Sequence, residues 1–176
     1  MTAKRQAGSP EPDRGAGPGS RSAARLAAVQ ALYQIELSGE SVEHVIADFT
    51  NHGLASEEEA APLGRADATL FADIVRGVAA RRAEIDSRLA AMLAEGWALE
   101  RLETTLRAVL RAGAYELMAR PDIPFPVVVN EYVNIAAAFF TGKEPAFVNG
   151  MLDRLGRETG RGATKAAADE DSAGIG

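Results

Sequence analysis

The stretch from Thr104 to Arg120, TTLRAVLRAGAYELMAR, sets the strongest limit on how this chain can fold. Leu106, Val109, Leu110, Gly113 and Leu117 recur at three- and four-residue steps, the period of a helix with one broad apolar face. Ala108, Ala112 and Ala114 widen that face and let other helices come close. Gly113 costs roughly 1 kcal/mol relative to Ala in a helix interior, which is tolerable where a neighbouring backbone packs tightly. Pro121 disfavours helical geometry at the residue before it, so the helix is expected to stop at Arg120. The segment is predicted to be the central helix of an all-helical domain. Arg111 should pair with a carboxylate, because a buried charge needs a partner. Tyr115 should pack in the core with its hydroxyl satisfied at the edge.

The flanking chain keeps the helical period. Residues 1–20 are rich in Gly, Pro, Ser and charge and are expected to be a disordered basic arm. Ser22 reads as an N-cap, with Leu26, Val29, Leu32, Tyr33 and Leu37 on one face and Gly39 ending the helix. A short helix follows over Val42–Phe49, then an acidic loop over Thr50–Gly64 containing Glu57, Glu58 and Glu59. Asp67 opens one long helical pattern through Leu93, closed by Gly96. Val127–Val128–Val129 alone favours a strand, yet Pro126 suits a first helical turn and Val128, Tyr132, Ile135 and Phe139 hold helical spacing. Pro145 opens a last helix, with Phe147, Val148, Met151, Leu152 and Leu155 on its stripe. The predicted domain spans residues 21–156, and residues 157–176 read as a disordered tail.

Composition narrows the function. With no cysteine there is no disulfide or thiolate metal site, which fits a cytoplasmic protein. His44 and His52 are too few for a histidine cluster. No run of about 18 apolar residues predicts a membrane span. Neither a phosphate-cradling glycine loop nor a nucleophile with a nearby base is present, so no catalytic residue, metal or cofactor is expected. The net charge is −6, but its distribution is uneven. Lys4, Arg5, Arg14, Arg21 and Arg25 face only Glu11 and Asp13 in residues 1–25, a local +3 that leaves −9 for the rest. A basic start on an acidic body suits two partners of opposite charge, although a merely solvated surface gives the same pattern. Arg21 and Arg25 lie one turn apart at a helix start and can reach one anion there, helped by the helix dipole.

Three segments, AVQALYQIELSG (28–39), LRAGAYELMARPDIPFPVVVNEYVNIA (110–136) and FVNGMLDRL (147–155), resemble the bacterial NusB family of transcription antitermination proteins. The likeness runs from about Arg21 to Leu155, is strong in the C-terminal third and is weak across residues 42–98. It implies an all-α fold of about seven helices in two packed bundles. It also implies a non-enzymatic factor that pairs with a small-subunit ribosomal protein, NusE. The pair would bind boxA-type single-stranded RNA in ribosomal RNA operons and join an antitermination complex on RNA polymerase. The alternatives are a domain like the front of certain ribosomal RNA cytosine methyltransferases and a structural homodimer without an RNA role. The former needs a downstream α/β domain, for which no glycine-rich strand–helix unit is visible here.

The resemblance assigns RNA contact to Arg21, Arg25 and Phe147, and Asn149 is a further RNA-binding candidate beside them. Ser22, Ala23 and Ala24 stand where family members often carry more basic residues, and Lys143 and Glu144 precede Phe147 where the family tends to be acidic and polar. Single-stranded RNA is held by cations on phosphates and by bases stacked on aromatic rings, so the arginines and Phe147 are expected to share one groove. Phe147 reads equally as core, and Asn149 as a helix-packing or capping group. Glu100, Glu103, Arg107 and Glu116 are candidate contacts for the protein partner, or members of a solvated face.

Overall fold

The computed structural model describes residues 18–53 and 66–161. Seven α-helices make up these residues: α1 Pro18–Ser38, α2 Val42–Asp48, α3 Ala68–Ala80, α4 Arg82–Met92, α5 Thr104–Ala119, α6 Phe125–Phe139 and α7 Glu144–Glu158. A π-helical turn, Phe49–Gly53, follows α2, and a 3₁₀ turn, Leu99–Arg101, precedes α5. The helices form two bundles that share α5. One packs α1 and α3 against it; the other packs α6 and α7 against it and against each other. The all-α, seven-helix expectation therefore holds.

Every residue of α5 from Leu106 to Leu117 is buried. One apolar face was expected, but α1, α3, α4, α6 and α7 together surround this helix. Gly113 is needed there for side chains rather than for a neighbouring backbone. A Cβ on it would lie 2.6 Å from Leu152 Cδ1 and 3.2 Å from Tyr132 Cδ2. The face α1 buries against this centre is mostly alanine, with Ala24, Ala27, Ala28, Ala31 and Val29 inside. Tyr33 and Leu37, expected on that face, are exposed. Small side chains bring the two helix axes close, and the larger residues fall to the flank.

Several boundaries differ from the sequence reading. α1 begins at Pro18, so residues 18–20 are helical and Ser22 lies inside the helix. Proline is compatible with a first helical turn, where its missing N–H costs nothing. The start is also tied down by the Asp67 N–H, which donates to the Ser20 carbonyl at 3.0 Å. The long pattern after Asp67 is two helices, broken at Arg81 (φ −110°, ψ 17°). Both halves keep an apolar stripe, so periodicity alone runs through the break. α6 forms through the valine triplet, as Pro126 predicted. The tail is ordered further than expected. α7 reaches Glu158, and Arg161 donates to the carbonyls of Glu116, Leu117 and Ile123. That guanidinium ties the C-terminal end of α5 to the loop that follows it. Residues 1–17, the Glu57–Glu59 run and residues 162–176 lie outside the described residues. Among the described residues, no helix is long and apolar enough to cross a membrane.

Gly77 marks the closest fit between α3 and α5. A Cβ there would sit 2.1 Å from the Tyr115 ring, whose hydroxyl donates to Asp73 at 3.0 Å. The ring cannot retreat without losing that bond. Gly77→Ala should therefore destabilise the fold by about 1–3 kcal/mol, read as a lower midpoint in urea unfolding.

Candidate functional site

The polar residues of α1 and α5 fall into two buried rungs. At one end Arg25, only 2% exposed, pairs with Glu116, which is fully buried. Its Nε donates to Oε2 at 2.9 Å and its Nη2 to Oε1 at 2.9 Å. The Tyr132 hydroxyl of α6 donates to the same carboxylate, and Glu131 lies 3.7 Å from Arg25 Nη1. Burial works against the charge on Arg25, but bonding and attraction to Glu116 keep its pKa above the ordinary value. Tyr132 is held well above its ordinary range, first by burial and then by the Glu116 charge. At the other end Glu36 accepts from both Arg107 and Arg111, and Arg111 also binds Asp86 at 2.8 Å. Arg111 and Tyr115 thus take the partnered core roles expected of them.

These placements revise the candidate residues. The Arg25 guanidinium is spent inside the bundle and is not presented to phosphate. Glu116 is buried and has no surface to offer a protein partner. Arg107 is buried as well, donating to the Glu100 and Leu102 carbonyls and to Glu36. A charged residue's identity and helical position do not record its burial, which is why these three read as surface contacts. Glu103 is exposed yet caps α5, accepting from the Leu106 N–H at 3.1 Å. Glu100 and Asn149 are exposed. Arg21 is exposed one turn before Arg25; the Asp122 carboxyl is held below its usual range first by its bond to Arg120, with the Arg21 charge a minor addition.

Phe147 is half-buried and lines an open apolar hollow of about 400 Å³ with Leu93, Trp97, Leu102 and Leu106. Among the described residues, Lys143 and Glu144 add the charges to its lining. The hollow lies at the Leu106 end of α5, whereas Arg25 binds Glu116 near the other end. Ten residues at 1.5 Å each separate those positions by ~15 Å along the helix axis. The arginines and Phe147 therefore do not line one groove, contrary to expectation. Trp97 is 63% exposed on the α4–α5 connection. Its tertiary neighbour Phe147 is 50 positions away, so no local pattern links them. Among the described residues there is no acidic or histidine cluster suited to a metal ion.

The architecture is an all-α, two-bundle domain built on a shared central helix, with a cation at the start of α1 and an aromatic hollow at the far end of α5. Residues 22–157 match the NusB family. A transcription antitermination protein NusB from Caulobacter vibrioides is 55% identical over 138 residues, 78% of this chain and 93% of that protein. Its counterpart from Sphingopyxis alaskensis is 52% identical, covering 79% of this chain and 93% of that one. Among solved structures, T. maritima NusB aligns with a TM-score of 0.66 at 31% identity, over 81% of this chain and 92% of that one. A chain in the crystal structure of a plectonemic RNA supercoil aligns with the same TM-score at 25% identity, over 78% and 94%. The chain belongs to the NusB family.

Two outcomes follow from the buried rungs. Arg25→Ala strands the Glu116 charge and should cost about 3–5 kcal/mol in urea unfolding, whereas Arg25→Met with Glu116→Leu should recover most of that loss. Tyr115 is pushed up to about 12 by burial and by its bond to Asp73. Its neutral form is favoured in the fold, so its contribution to stability is complete below the ordinary value of 10.0 and is lost as pH rises through about 12. Stability measured against pH should fall across that window, and Tyr115→Phe should flatten the fall.

Proposed function

We propose that this chain is a non-enzymatic transcription antitermination factor that binds boxA-type single-stranded RNA together with the small-subunit ribosomal protein NusE. The observation that carries the reading is the family match across nearly all described residues, with relatives above 50% identity named as antitermination proteins. The charge pattern supports it. The cationic start suits RNA phosphates, and an acidic body suits a basic ribosomal protein. A relative's fold accompanied by RNA in a crystal lends further support.

In this proposal Arg21 supplies the phosphate contact at the head of α1, where the helix dipole adds to its pull. Arg25 acts from inside, fixing that helix start against α5 and α6. Phe147 offers a stacking surface, and Asn149, two residues on in α7, is an exposed polar group. Because the two places are ~15 Å apart along α5, the strand runs between them and is not enclosed in one pocket. Glu100 and Glu103 are the remaining exposed candidates for the protein partner.

The test is RNA affinity with and without purified ribosomal protein, measured across a salt series. Partner-enhanced, salt-sensitive binding of a boxA strand is expected, and its absence rejects the proposal. Arg21→Ala should weaken binding and reduce the salt slope by about one phosphate contact. Phe147→Ala should cost about 1–3 kcal/mol of RNA binding without loss of helicity.

A further inference from the structure

Both ends of the described domain meet at Glu116. Its carboxylate takes Arg25 Nε at 2.9 Å, and its backbone carbonyl takes Arg161 Nη1 at 3.2 Å. Arg161 also donates to the carbonyls of Leu117 and Ile123, the latter next to Asp122. The chain beyond Arg161 therefore departs from the end of α5 that holds the head of α1. Arg21 is exposed there, one turn, or ~6 Å of helix axis, before Arg25. Asp122, whose carboxyl feels the Arg21 charge, is already bonded through both oxygens to Arg120, at 3.0 Å each. The charge on Arg21 is thus only partly met within the described residues. Residues 162–176 carry Lys165 against the run Asp169–Glu170–Asp171, a local −2. Asp169 follows Arg161 by eight residues, a reach of up to ~28 Å for extended chain. Two side-chain contacts and one helical turn separate Arg161 from Arg21, so the acidic run can reach that cation.

We infer that the acidic run Asp169–Glu170–Asp171 docks on the Arg21 end of α1 and competes there with RNA phosphate, an autoinhibitory contact within the chain. This rests on the RNA-binding reading above and adds a regulation of that site. The short tether holds the run near Arg21 at a high effective concentration, which a free strand must overcome. Exposed ion pairs are individually weak and are screened by salt, so the tail raises a threshold and does not close the site. A strand that meets several cations and also stacks its bases displaces the run. A strand held by phosphate contacts alone competes with it on nearly equal terms. The contact therefore acts most strongly against weak, purely electrostatic RNA binding.

Because the chain has no cysteine, Ser172→Cys gives one attachment point for a nitroxide on the full chain. At low salt the label is expected to broaden the backbone amide signals around Arg21 and Asp122. The broadening should vanish at high salt, in Arg21→Ala, and when Asp169→Asn, Glu170→Gln and Asp171→Asn are combined. Broadening confined to residues 1–17, or none, overturns the inference. In parallel, affinity for the boxA strand is followed by anisotropy with the purified ribosomal protein present. The combined tail variant should bind about two- to ten-fold more tightly at low salt and no better at high salt. The gain should disappear in the Arg21→Ala background. The same three-charge change at the exposed Glu43, Glu84 and Glu95, each to Gln, should give a smaller gain. An equal gain from that control, or one that survives Arg21→Ala, makes the effect one of overall charge and overturns the inference. RNA that binds with an affinity indifferent to the tail charges overturns it too, and leaves the RNA-binding reading intact. Absence of RNA binding by every variant rejects that reading, and the competition with it.

Discussion

The pairing of Arg25 with Glu116 is the interaction on which the arrangement depends. It joins α1 to α5, and Tyr132 extends it to α6, so both bundles meet at one buried charge pair. Neither ion can be left alone there, because an unpaired buried charge costs several kcal/mol. The second rung, Glu36 with Arg107 and Arg111, fixes the opposite end. Two rungs determine the antiparallel register of α1 on α5 in a way that an alanine surface cannot. Alanines pack closely but are nearly interchangeable, whereas a shift by one residue would leave both pairs unmatched.

That register has consequences for function. By holding α1 at its first turns, the Arg25 rung presents Arg21 outward at a defined place. The charge that serves the surface and the charge that serves the core are four residues apart, with opposite fates. On the far side, the α4–α5 connection and the start of α7 leave the hollow open between Trp97 and Phe147. The acidic character of the body is partly internal as well, since Glu36, Asp86 and Glu116 are engaged by arginines. The arginines that hold them cancel their charge, so the net negative charge of the chain is carried by the other carboxylates.

Much of the fold was legible in the chain. The period of Thr104–Arg120, the prolines in the first turns of α6 and α7 and the glycine after α1 place most helices, because local geometry and amphipathicity act over one to three turns. The site was less legible. Arg21 was identified and is exposed, but Arg25, Arg107 and Glu116 were assigned to the surface and are buried. An arginine in a helix looks the same whether its carboxylate partner is solvent-facing or 91 positions away in the core. Trp97 was missed for the same reason.

The sequence by itself determined the helical class, the central position of α5 and the cationic start of α1, since these depend on spacing and composition. The tertiary structure decided which charges are spent inside, that the long pattern after Asp67 breaks at Arg81, and that Phe147 shares its hollow with Trp97 rather than with the arginines. Those outcomes depend on contacts between residues far apart in the chain, where burial sets the energy of each polar group and no local period records it.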